Sequence, residues 1–147
     1  MQAGCATLSP GPSVTETVVN IRPLQSTLLA TAVELTLRLT SESAQPLVLA
    51  GSTHKLFLNG STVGRAVSSE RVTVPAFGTA TPIVTVYLEN LTLIRKATEF
   101  SQAPKLAYRL EGRLHPAEGS AFGNIKTIAT GELDLAGLGL IPPAPGR

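Results

Sequence analysis

The sequence predicts an all-β fold: a two-sheet, antiparallel β-sandwich of about seven strands with one short helix. Three observations predict it. Apolar and polar residues alternate at period two over long stretches, which marks half-buried strands. These stretches recur at short intervals, separated by turn-forming residues. The chain has 147 residues, 43% of them hydrophobic and 15% charged, the composition of one domain able to bury a core without a disulfide or a metal.

The first strand candidate is Val14–Ile21. The second alternates most clearly, with Val33, Leu35, Leu37 and Leu39 set against Glu34, Thr36, Arg38 and Thr40, so that one face is buried and the other wet. Leu47–Ala50 runs on to Lys55–Leu58, and Asn59-Gly60 then signals a tight hairpin, because both residues tolerate positive φ. Thr62–Val67, Val72–Val74 and Thr81–Leu88 follow. Leu91, Ile94, Ala97 and Phe100 recur instead at helical spacing, with Asn90 as the expected N-cap. Leu106, Tyr108, Leu110 and Leu114 restore the alternation, and Gly112 between them marks a bulge or a close contact. Ile125–Leu135 closes the series. Connections this short imply antiparallel pairing, and the architecture expected is immunoglobulin-like or fibronectin-III-like. Residues 1–12 read as a flexible tether, 13–136 as the sandwich domain, and 137–147 as a flexible tail rich in proline and glycine.

Twelve basic residues face ten acidic ones, and no run exceeds the pair Arg95-Lys96. With four Phe, two Tyr and no Trp, the chain lacks both the basic runs and the stacking rings of a nucleic-acid binder, and no nucleic-acid partner is expected. The greasiest stretch, Leu28 to Leu39, is interrupted by Thr27, Thr31, Glu34, Thr36 and Arg38 in and beside it, so it does not read as a membrane span.

Catalytic signatures are missing. The two histidines, His54 and His115, read as surface residues, and no nucleophile elbow precedes a helix. No metal-ligand spacing occurs, and Asp134 is the one aspartate. Glu42, Glu70, Glu89, Glu111 and Glu132 read as outward-facing strand or turn positions rather than paired catalytic carboxylates. The glycines of F-L-N-G-S-T-V-G-R make turns, not a phosphate cradle. No enzyme activity, cofactor, metal or catalytic residue is expected.

The single cysteine sits in Ala3-Gly4-Cys5-Ala6. Small residues before a cysteine resemble a bacterial lipobox, although Gln2 stands where a leucine is usual and no charged and apolar leader precedes it. Cys5 is therefore a lipidation candidate, with a lost signal sequence as the explanation of the missing leader; an ordinary free thiol in a loose tail is the alternative. If Cys5 is acylated, the membrane is a partner, and Ala6 rather than Asp after it favours an outer-membrane location facing the periplasm. Without a signal peptide the chain would be cytoplasmic.

The stretch from Pro46 to Ala66, P-L-V-L-A-G-S-T-H-K-L-F-L-N-G-S-T-V-G-R-A, resembles the central hairpin of the late-embryogenesis-abundant type 2 family, also called the water-stress and hypersensitive-response domain. Val74-Pro75-Ala76-Phe77-Gly78, the strand Leu106 to Leu114 and the closing Thr130-Gly131-Glu132-Leu133-Asp134-Leu135 match further parts of its pattern, so the resemblance spans about residues 16 to 135. Ser41-Glu42-Ser43 replaces the family's N-P-N-like turn, and His54 and Phe57 depart from its usual residues. The resemblance implies a two-sheet sandwich with a short helix, an association with desiccation or other stress, and no known catalytic centre; bacterial members often carry a lipobox. The function expected is a monomeric, stress-associated protective or binding domain, lipid-anchored in the bacterial envelope. The alternatives are a carrier of a lipid or small apolar ligand between the sheets, and an assembly module that recruits a protein partner through a strand edge or the tail.

Overall fold

The alternating stretches all become strands. The computed structural model describes residues 13–96, 106–119 and 123–133; the tether, the tail, Cys5, Ala97, Phe100 and Asp134 lie outside them. In chain order the elements are β1 (Val14–Ser26), β2 (Ala30–Ser41), β3 (Leu47–Leu58), β4 (Ser61–Ser68), β5 (Val72–Val74), β6 (Thr79–Ala80), β7 (Ile83–Glu89), the helix α1 (Asn90–Arg95), β8 (Leu106–Pro116) and β9 (Ile125–Leu133). The pairings are antiparallel. Leu47 to Leu58 forms one continuous strand, and the stretch Thr81–Leu88 begins as a strand only at Ile83, after Pro82, which has no N–H to give to a ladder. At the β3–β4 hairpin Asn59 and Gly60 have φ of 49° and 87°, the conformation that the Asn-Gly pair favours.

The expected all-β, antiparallel character is present, but the two separate sheets are not. The described strands form one nine-stranded sheet in the order β1-β2-β7-β4-β3-β8-β9, with β5 on β3 and β6 on β2. Two register pairs, Gly64 with Leu88 and Arg65 with Tyr87, join β4 to β7 and make the sheet continuous. The sheet curls until its end strands, β1 and β9, pack against each other. This joint is a long-range pairing, invisible to local periodicity.

Inside the curl, Val33, Leu35 and Leu37 of β2 meet Val84, Val86 and Leu88 of β7 and Leu56, Leu58, Val63 and Leu110 from the other limb. A second cluster at one end gathers Leu39, Leu47, Leu49, Val74, Leu114 and Ile125. Each such aliphatic side chain contributes roughly 1.5–3 kcal/mol by leaving water.

The helix departs from its expected orientation. Leu93 packs on the core, while Leu91 and Ile94 are 66% and 68% exposed. Asn90 is not the cap: Glu89 holds that position, without a side-chain cap bond. The Asn90 amide instead ties down the β1–β2 turn, donating through Nδ2 to the Thr27 carbonyl at 2.9 Å and accepting from Thr31 Oγ1 at 2.8 Å. These bonds fix the helix start from outside, so its register follows the turn rather than its apolar period.

Gly64 makes the β4–β7 joint possible. A Cβ there would lie 2.9 Å from the Tyr87 carbonyl oxygen and 2.8 Å from Leu88 Cδ2, closer than a packed backbone accommodates. Gly64→Ala is expected to lower unfolding stability by about 2 kcal/mol, measured by urea denaturation; unchanged stability would mean that this joint does not hold the curl.

Candidate functional site

The described residues bring one polar cluster into the interior. On the inner face, His54 of β3, Gly112 of β8 and Thr127 of β9 stand in one cross-strand row. From β1, across the curl, Glu16 reaches the same point. Its Oε2 lies 2.8 Å from His54 Nε2, and its Oε1 accepts from Thr127 Oγ1 at 2.8 Å. The side chains of His54 and Glu16 are 1% and 0% exposed. With Thr127 donating to one oxygen, an ionised carboxylate, which can only accept, receives the Nε2 proton of His54 on the other.

Gly112 is the cradle of this cluster. A Cβ on it would come within 2.5 Å of Thr127 Oγ1 and 2.9 Å of His54 Nε2, so the histidine and the threonine lean together over a residue without a side chain. The sequence marks Gly112 as a bulge or close contact, and the close contact is what the structure shows. His54 Nδ1, by contrast, is buried without a hydrogen-bond partner, at an ordinary cost of about 1–3 kcal/mol.

The chemistry of this arrangement is that of a clip. A nucleophilic triad needs its hydroxyl bonded to the imidazole, with the carboxylate behind the imidazole. Here the carboxylate stands between hydroxyl and imidazole, so both donors are spent on Glu16 and neither is bonded to the other. What Glu16 does is tether β1 to β3 and β9 where no ladder joins β1 to either.

The other sequence-marked residues do not join it. His115 is half-buried at the end of β8, with Nδ1 3.1 Å from Asn124 Oδ1. Glu42, Glu70, Glu89 and Glu132 are exposed as expected, and Glu111 is half-buried and paired with Arg109 at 3.1 Å. His54 overturns its surface reading, and Glu16 was not singled out at all. The signal for both was parity: Glu16 shares its strand face with Val14 and Val18, and His54 with Leu56 and Leu58, so period two places each indoors. Among the described residues no three His, Cys, Asp or Glu side chains gather as a metal site.

In sequence, the family described as late embryogenesis abundant protein, type 2, matches residues 36–128. The chain belongs to this family. Its membership groups it with water-stress-associated proteins, and the match takes in His54, Gly112 and Thr127 but begins after Glu16. No curated protein matches the chain. Among solved structures, a protein from Archaeoglobus fulgidus is similar at 19% identity with a TM-score of 0.56, over 83% of this chain and 94% of that one. A protein from Arabidopsis thaliana is similar at 13% identity with a TM-score of 0.60, over 82% of this chain and 80% of that one. At these identities the two share the fold alone.

Removing the carboxylate leaves two buried donors without an acceptor. Glu16→Ala is therefore expected to destabilise this member of the family by about 3–5 kcal/mol, and Thr127→Val by about 1–3 kcal/mol. In a double-mutant cycle read by urea denaturation the two should be strongly non-additive; simple additivity would mean that they do not form one clip.

Proposed function

We propose that this late-embryogenesis-abundant domain is a non-catalytic protective or binding module of water stress that works from its outer surface. The observation that carries the reading is the filled interior. The space beside Glu16, Leu37, Leu39, His54 and Leu114 amounts to about 10 Å³, room for no more than one water molecule. A buried carboxylate with both oxygens engaged offers neither a free base nor a path to it. The family's association with water stress supports the same reading.

A lipid on Cys5 would hold the module at the bacterial envelope, on the outer membrane facing the periplasm by virtue of Ala6. Two or three acyl chains suffice for stable anchoring where one would not. The alternative of an apolar-ligand carrier is weaker, because a small lipid needs a chamber of roughly 300 Å³ or more, and the space beside Glu16 and His54 among the described residues is far below that.

Two experiments test this reading. Drying and rehydrating a desiccation-sensitive enzyme with the purified domain should preserve more activity than an equal mass of an unrelated globular protein, and Glu16→Ala should lose the advantage as its fold loosens; equal protection by all three removes the specific role. For the anchor, the gene with its upstream in-frame region, expressed in a bacterial host, should yield a membrane-bound chain with a lipid-sized mass gain that Cys5→Ala abolishes. An unmodified soluble product would refute the anchor alone.

A further inference from the structure

The outer face of β4, β3, β8 and β9 collects charge that no linear run foretells. Two cross-strand rows cross it side by side. Tyr87, Arg65, Lys55, Glu111 and Ile128 oppose one another in register along the first, and Val67, Thr53, Arg113 and Lys126 along the second. Arg65 thus directly faces Lys55, and Arg113 directly faces Lys126. Like charges in directly opposed positions destabilise a sheet; Lys55 has Glu111 opposite it on β8, whereas among the described residues the Arg113–Lys126 pair has no carboxylate in register with it. The one acid among them, Glu111, is engaged by Arg109 at 3.1 Å. Glu132 lies at the far end of β9, in register with Ala107. Lys55, Arg65, Arg113 and Lys126 are all exposed and line an open, shallow trough of about 600 Å³.

We propose that this face docks on the surface of an anionic phospholipid bilayer. Four cations on four neighbouring strands make a two-dimensional array some 15 Å across at the spacing of a sheet, which matches a plane of headgroup phosphates better than a single line of charge. At two corners of this array stand aliphatic side chains, Val67 at 80% and Ile128 at 63% exposure, with exposed Tyr87 in register beside Arg65. Cations for the phosphates, with aliphatic groups and a tyrosine for the interface, are the two attractions that hold a peripheral surface on a bilayer. A single-stranded nucleic acid would need stacking rings instead, and Phe57 on this face is covered by the Arg109 guanidinium 4.5 Å from its centroid. The repulsion within the pairs, which the single carboxylate of Glu111 offsets only in part, is relieved on docking, since the phosphates supply counter-charge. The proposal does not rest on the lipid at Cys5, and its test uses unacylated protein.

The experiment is co-sedimentation with vesicles of pure phosphatidylcholine or of phosphatidylcholine with a third phosphatidylglycerol. The chain is expected to bind the anionic vesicles, to ignore the neutral ones, and to dissociate as salt is raised. Replacing the three cations of β3, β8 and β9 together, as Lys55→Gln, Arg113→Gln and Lys126→Gln, should weaken partitioning about 100-fold without lowering thermal stability, because it removes repulsion. Replacing three cations elsewhere, as Arg38→Gln, Arg71→Gln and Arg95→Gln, alters net charge equally and should change binding much less. Absence of binding to anionic vesicles overturns the proposal. So do equal losses in the two triple variants, and so does displacement of the protein from vesicles by an equal phosphate concentration of single-stranded DNA, which would make the partner a nucleic acid.

Discussion

A carboxylate shared between two buried donors sets the shape of this molecule. Strands β1 and β9 sit at opposite ends of the hydrogen-bonded path, so no backbone ladder compels them to meet. Apolar contact draws them together but specifies no register, since one aliphatic residue packs nearly as well as its neighbour. Glu16 supplies the specificity: only one alignment of β1 brings its two oxygens to Nε2 of His54 and Oγ1 of Thr127 at once. A buried charged group adds little net stability for the desolvation it costs, but it strongly penalises every alignment that leaves it unpaired. The clip therefore selects the closed arrangement more than it strengthens it.

Two glycines carry the geometry that this closure demands. Gly112 leaves the space over which His54 and Thr127 lean, and Gly64 lets β4 and β7 approach at the joint that turns two limbs into one sheet. Both lie on inward-facing strand positions, Gly64 against Leu88 and Val86 and Gly112 against His54 and Thr127. In an ordinary strand such a position would hold a valine, at better intrinsic propensity. Their presence is thus paid for in strand stability and recovered in the contacts that a side chain would have blocked.

Much of this was legible in the residues. Alternation places β2 and β8, and Asn59-Gly60 places the β3–β4 hairpin, because these depend on local chemistry alone. Gly112 stood out as an exception within an alternating strand. His54 was legible too, by its parity with Leu56 and Leu58, but the general tendency of histidine to lie outside outweighed the period. Glu16 shares the parity of Val14 and Val18, but a bulge between Val18 and Asn20 cuts that alternation to three positions, too short a run to outweigh the tendency of a carboxylate to lie outside. The β4–β7 joint and the outer cationic face could not be read locally, because each is made by residues brought together only when distant strands pair.

The division between the two faces of the sheet follows from this closure. Once the curl is shut by its clip, the inward positions of the described strands are occupied mainly by aliphatic side chains, and both oxygens of the one buried carboxylate are engaged. The demands of the fold account for the inward aliphatic residues and for the Glu16–His54–Thr127 clip. They do not explain why Arg65 faces Lys55 and Arg113 faces Lys126 on the outside, since an opposite charge at either position would stabilise the strand pair at no steric cost. An arrangement that folding alone disfavours, on the face that folding leaves free, points to an external anion as the missing partner.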